Sequence, residues 1–443
     1  MNFEVLKRSH VKRNIIVAVI IILILSAVIL TFTRAKYKTT VSIPLVSGTI
    51  NYDFSDLNLI GVYIQEGEEY KQTNEIPSSG YKFNSEESYC TINNERDDTI
   101  TLSFDMTTQN LTVTPLTKKG TKCYLYFDEH KIPANEYILA SENAPTNSTT
   151  DWTNNGTGIT YYYAGDTNEV NNWVSFAGFY WRIIRINGDG TIRMIYQGVA
   201  DSEIPDDGNM TGEGTQIGRS AFNNPIDNNT YVGFKYGSDS SDYATTHANI
   251  NNSIILGEDD SNDITTLNGW YRANLLEYAK YIDGNAGFCG DRRVNDGVGV
   301  GTSATNYQAY LRIGNGSPSL SCNKNDIYTT DEFEHGNGAL TYPIGLISAD
   351  EAMLAGISNW FTSGNINNYL CTGQIYWTMS PTYFDSEFSG AGVYMFYVDS
   401  SGYLNFYDGD WAVGVRPVIN IRANVEISGL GTTSDPFKVV GAS

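Results

Sequence analysis

An uncharged, almost wholly apolar run near the start of this chain, Ile15 to Phe32 (IIVAVIIILILSAVILTF), restricts its possible folds more than any other feature. As a helix the run measures roughly 27 Å, about the hydrocarbon thickness of a bilayer, so a membrane-spanning helix is expected there. Lys7, Arg8, Lys12 and Arg13 precede it and Arg34, Lys36 and Lys38 follow it, so flanking charge alone does little to orient it. A cleaved signal peptide fits less well, because the run exceeds a usual h-region and no A-x-A-like site follows before Arg34. The expectation is a cell-membrane protein with a single uncleaved pass, its N-terminus inside and its remaining mass extracellular.

The rest of the chain is consistent with that placement. There are 28 Lys and Arg against 50 Asp and Glu, and seven of those cations fall within residues 1–38, so the remainder is strongly acidic. Such a surface favours solubility and excludes nucleic acid as a partner, since polyanions are bound by basic stripes. Cys90 and Cys123 lie 33 residues apart, as do Cys289 and Cys322, and Cys371 is left over. Two local disulfides are expected from domain locality, although four cysteines already allow three pairings. Disulfides imply an oxidising compartment.

The predicted fold class is α+β in four parts. Residues 1–38 form a cytoplasmic stub and anchor. Residues 39–140, with runs such as TITLSFDM and TKCYLYFDE between Gly, Ser and Asn clusters, form a small β-sandwich spacer. Residues 141–158, SENAPTNSTTDWTNNGTG, are polar and aperiodic and read as a linker. Residues 159–443 form a mixed antiparallel-sheet domain. Its clearest signal is a hairpin of two apolar-aromatic runs around Asn187-Gly188-Asp189-Gly190. A helix is expected over 264–281, and Ser348 with Glu351 three residues on forms a capping-box pattern. The stretch from Ile375 to Ile421 alternates aromatic and polar residues and predicts three or four antiparallel strands.

No HExxH, GxSxG or phosphate loop is present, and His130, His247 and His335 stand alone in sequence. The acidic clusters Asp201–Asp207 and Glu258–Asp263 have oxygens suited to Ca²⁺ but not the spacing of an EF-hand, so no metal ligand is assigned and no cofactor is required. What remains is a set of side chains suited to recognition: Trp377, Tyr383, Asp385, Tyr394, Tyr403, Asn405, Tyr407, Asp410 and Trp411. Tyr and Trp give rigid contact area with a polar tip, and Asn and Asp give adaptable hydrogen bonds. Because neighbours on a strand point to opposite faces, half of such a list must be structural.

At WTMSP (377–381) and GVRPVINI (414–421) the chain resembles the uncharacterised C-terminal domains of anchored bacterial surface proteins, modules similar to C-type lectin-like folds. The likeness continues through the hairpin from Trp173 to Gly190, through GLISADEA (345–352) and through the closing GTTSDPF. That fold group holds sugar-binding lectins, formylglycine-generating enzymes and hypervariable receptors, and fold alone selects none of them. The chain lacks a Glu-Pro-Asn or Gln-Pro-Asp calcium motif and lacks the close pair of active-site cysteines of the formylglycine enzymes. The expected role is therefore an anchored binding or adhesion protein for an extracellular glycan or protein. The alternatives are an extracellular enzyme of the same fold group, using carboxylates such as Asp385, Glu387 and Asp410, and a structural subunit of a surface fibre.

Overall fold

The computed structural model describes residues 57–442 except 68, 78–79, 107–109, 116–119, 131, 225, 235–265 and 387–391. The chain divides into two compact units, Met1–Lys131 and Ile132–Ser443. In the first, Leu57–Glu66 runs antiparallel to Glu69–Thr73 and parallel to Thr121–Glu129, whose other edge takes Tyr81–Ile92. Alternation along Thr121–Glu129 buries Thr121, Cys123, Leu125 and Phe127. A hairpin, Thr101–Asp105 with Asn110–Thr114, adds Leu102, Leu111 and Val113 to the same core. Cys90 and Cys123 are opposite one another in register and form a disulfide.

The second unit contains, among the described residues, sheets of eight and seven strands. The first sheet centres on the expected hairpin, β1 (Phe179–Ile186) and β2 (Ile192–Val199), with Val418–Ile421 on the far edge of β2. The second contains β3 (Thr305–Tyr307), β4 (Tyr376–Asp385), β5 (Gly392–Val398) and β6 (Leu404–Asp408), adjacent in that order. The helices are short and include, after Ala134–Ala140, α1 (Leu267–Asn274), which continues as a 3₁₀ turn over Leu276–Tyr281, α2 (Gln308–Gly314) and α3 (Ala349–Leu354). Leu267, Trp270 and Leu275, taken from the expected helical stripe, are buried in the core. Cys289 and Cys322 form the second disulfide, and Cys371 is a buried thiol.

An ionic cluster lies in the middle of this unit. Arg185 and Arg193 are cross-strand partners on β1 and β2, and both guanidiniums are buried. The Glu351 carboxylate at the start of α3 accepts from Arg185 Nε at 2.9 Å and pairs with Arg193 Nε at 2.5 Å. Asp151 takes the other side of Arg185. The capping box is complete: Ser348 Oγ accepts from the Glu351 amide, and the Glu351 side chain accepts from the Ser348 amide. Arg185 lies 4.4 Å over the Trp152 ring and Arg193 4.6 Å over Phe288.

Three expectations are corrected. The described residues are mostly β, 39% strand against 14% helix, rather than α+β. Among them no helix is long and apolar enough to cross a membrane, and the run Ile15 to Phe32 lies outside them, so the anchored single-pass localisation is not retained. Residues 141–158 are no linker between 39–140 and 159–443, because Asn147–Thr150 pairs with Ile159–Tyr162 and Asp151, Trp152 and Thr153 are buried in the second unit. The polarity of this segment serves internal bonding: Asp151 accepts from the Thr153 and Gly188 amides as well as pairing with Arg185.

Burial pushes the Glu351 carboxyl up, but Arg193 and Arg185 outweigh it and hold the group below its ordinary value of 4.5. A depressed folded-state value contributes stability above the unfolded value that is lost as pH falls through the folded one. Glu351→Ala, which leaves two guanidiniums buried without their shared acid, is predicted to cost about 3–5 kcal/mol in denaturant unfolding at pH 7. The penalty is expected to shrink as the pH falls from 4.5 through the lowered folded-state value.

Candidate functional site

Three neighbouring strands position most of the recognition candidates, and their register sorts them by face. Tyr383 on β4 opposes Tyr394 on β5, which opposes Asp408 on β6; Phe396 opposes Phe406. Directly opposed residues of an antiparallel pair share a face. Tyr383, Asp385, Tyr394, Phe396, Phe406 and Asp408 therefore lie on one side, joined by Asn306 of β3, which opposes Tyr383. Tyr397, Asn405 and Tyr407 lie on the other, and Tyr403 and Trp411 follow them there.

The first face is an aromatic platform. Tyr310 of α2 stacks on Trp360 at 5.3 Å and 17°, and Tyr383 stacks on Tyr394 at 4.4 Å and 23°. Phe406 stands edge-on between these pairs, with its centroid 5.8 Å from Tyr310, 5.4 Å from Trp360 and 5.4 Å from Tyr383. Phe361 continues the surface from Trp360 at 5.0 Å and is 73% exposed. Asn359 holds this corner in place. Its side-chain amide donates to the carbonyls of Ile313 and Gly314 at the end of α2, and its oxygen accepts from the Phe361 amide. Gly314 leaves room for the indole, since a Cβ there would meet Trp360 at 3.3 Å.

Carboxylates border the rings. Burial and then Asp408 push the Tyr394 phenol up to about 12. Burial, followed by the neighbouring phenols of Tyr394 and Tyr310 and by Asp385 and Asp408, raises Tyr383 well above its ordinary value. Asp408 is itself raised by burial, against the opposing hydrogen bond from Tyr394.

Trp377 does not belong to a recognition face. It is fully buried, its indole N–H donates to the Ser220 carbonyl at 2.9 Å, and its ring meets Phe222 and Tyr397. Its opposite facing from Tyr383 has a local cause: the β4–β5 register shifts on both sides of Pro381, which reverses which residues point to which side. Tyr407 and Trp411 form an exposed edge-to-face pair at 4.4 Å on the opposite side of the sheet from the platform, and Asp410 lies beyond the end of β6. Of the acids named for an enzyme, Glu387 is outside the described residues and Asp385 and Asp410 stand on different elements. Among the described residues no three His, Cys, Asp or Glu side chains converge to hold a metal such as Ca²⁺.

Tyr310, Trp360, Phe361, Phe406, Asn306 and Asp408 were not singled out from sequence. The adjacent Trp360 and Phe361 in a polar loop, SNWFTSG, carried a readable signal, because two neighbouring rings in such a segment are seldom both core. No protein-family model matches the chain, and no curated protein or solved structure matches it.

Asp408→Asn removes the negative acceptor beside Tyr394, so the Tyr394 phenol is predicted to titrate closer to its ordinary 10.0, read by NMR or ultraviolet difference titration. An unchanged Tyr394 titration would rule out the pairing.

Proposed function

We propose that this protein is a ligand-binding or adhesion protein whose second unit presents the Tyr310, Trp360, Phe361, Tyr383, Tyr394 and Phe406 platform to an extracellular glycan or protein. One observation carries this reading: six rings, tied to one another and set largely on regular elements, form a continuous face that ends in the exposed Phe361. Fixed rings lose little side-chain freedom on binding, which is how aromatic anchors come to dominate recognition surfaces. The two disulfides support work in an oxidising compartment.

Binding to a glycan array and to cell-surface preparations tests the reading. Phe361→Ala and Tyr383→Ala are each expected to weaken attachment about ten-fold or more, because each truncates a ring at the centre or exposed end of the platform. Tyr407→Ala and Trp411→Ala, on the other face, are expected to leave attachment within about two-fold of the parent. If the platform variants bind like the parent while the Trp411 variant loses binding, the face has been chosen wrongly. Loss of attachment by none of the four defeats the reading altogether.

A further inference from the structure

A concavity elsewhere in the same unit shares no residue with the platform. It measures about 400 Å³, at the small end of the range for ligand pockets. Residues 152–155, Asp189 in the β1–β2 turn, the loop 283–286 and the tip of the hairpin formed by Glu332–Phe333 and Gly336–Asn337 close around it. These segments are tied to one another. The Trp152 indole N–H donates to the Ala286 carbonyl at 2.8 Å, and the Asp189 amide donates to Thr153 Oγ1 at 3.0 Å. The Thr330 amide, shortly before the hairpin, donates to the Gly284 carbonyl at 3.0 Å.

The chemistry of this cavity is one-sided. Asp189, Asp283 and Glu334 line it, no Lys or Arg does, and Trp152 and the exposed Phe333 supply aromatic wall. Asp189 accepts from the Thr191 amide and hydroxyl, and Asp283 from the Asn285 and Ala286 amides, in each case through Oδ1. Neither Asp189 nor Asp283 forms an ion pair among the described residues, and Oδ2 of each takes no hydrogen bond there. Burial raises the Asp189 carboxyl, Thr191 opposes that shift, and Asp151 and Asp283 raise it further, so the carboxylates of Asp189 and Asp283 repel one another. Among the described residues no three His, Cys, Asp or Glu side chains converge to hold a metal ion. A larger, organic cation can meet both carboxylates and still lie against a ring.

We propose that this cavity receives an arginine side chain of a partner protein, with the guanidinium bridging Oδ2 of Asp189 and Asp283 and its plane against Phe333. A guanidinium presents a rigid fork of N–H donors, is weakly hydrated and stacks on aromatic faces. An ammonium is a compact, strongly hydrated charge that leaves the aromatic wall without a matching plane. Long-range attraction favours a basic partner as well, since 50 acidic against 28 basic residues give the chain a net charge of −22. The platform plays no part in this recognition.

The test is NMR titration of the full chain at neutral pH with capped Gly-Arg-Gly, Gly-Lys-Gly and Gly-citrulline-Gly peptides and with glucosamine, reading the Trp152 indole N–H and the Asn285 and Ala286 amides. The arginine peptide is expected to shift these signals, and to bind about three-fold tighter than the lysine peptide and about ten-fold tighter than its neutral citrulline isostere. Asp189→Asn and Asp283→Asn, each of which keeps Oδ1 for its turn, are expected to weaken the arginine peptide about five-fold and to leave the citrulline peptide unchanged. Phe333→Ala is expected to weaken it about three-fold. Amide spectra of the unliganded variants confirm that the fold is kept.

Equal affinity for the arginine and citrulline peptides overturns recognition by charge. Arginine-peptide binding that leaves the Trp152, Asn285 and Ala286 signals in place, or that neither Asp variant weakens, overturns the assignment of this cavity. Tighter binding of the lysine peptide or of glucosamine, with the same dependence on Asp189 and Asp283, overturns arginine as the occupant. No saturable shift with the arginine peptide overturns the proposal altogether, and none of these outcomes alters what Phe361→Ala and Tyr383→Ala report about the platform.

Discussion

Glu351 is a carboxylate that two buried guanidiniums share. Arg185 and Arg193 oppose each other across β1 and β2, an arrangement in which like charges repel and burial removes the water that would screen them. Glu351 resolves it by meeting both Nε atoms, and Asp151 completes a group of two positive and two negative charges. Apolar replacements of similar shape could match such a cluster in stability. What the charges impose is uniqueness: a one-residue slip of the β1–β2 hairpin would leave either arginine buried without its acid, and a shift of α3 would withdraw the acid from both.

The same helix start connects the cluster to the aromatic platform. Ser348 caps α3 through Glu351, and the Ala349 amide donates to Ser380 Oγ on β4, the strand that bears Tyr383. The neighbouring Asp350 accepts from Arg312 Nε and Nη2 at 2.9 and 2.8 Å, fixing α2 and with it Tyr310. The end of α2 in turn receives Asn359, which sets Trp360 and Phe361. Three consecutive residues, Ala349, Asp350 and Glu351, thus join the ionic core to both stacked pairs of the platform. The rings are ordered by the core of the unit.

Local signals were legible and distant ones were not. Ser348 and Glu351 announced their capping box because its two halves lie within one turn, and the β1–β2 hairpin announced itself through a tight turn between apolar runs. The disulfide partners followed from locality. Asp151 could not be placed, since its partner Arg185 lies 34 residues away and a polar stretch without periodicity looks like solvent-exposed chain. Buried arginine runs against the ordinary expectation for that residue, so Arg182, Arg185, Arg193, Arg292 and Arg416 drew no attention as core side chains. The candidate residues lie on or beside β4, β5 and β6, and half of them are expected to be structural, but which half cannot be read, because the register shifts around Pro381 that separate Trp377 from Tyr383 leave no mark in composition.

Ring-to-ring contact also determines how the platform responds to change. Phe406 touches Tyr310, Trp360, Tyr383 and Phe396, so its removal alters the seating of rings it does not directly replace. Residues in mutual contact couple, and the effects of their substitutions do not add. Phe361 sits at the margin, with Trp360 behind it, and its loss mainly removes contact area. Comparing Phe361 and Phe406 variants singly and together separates contact with a ligand from order within the platform. A surface that binds through pre-ordered rings must show strong coupling among its inner members and near-additivity between its inner and marginal ones.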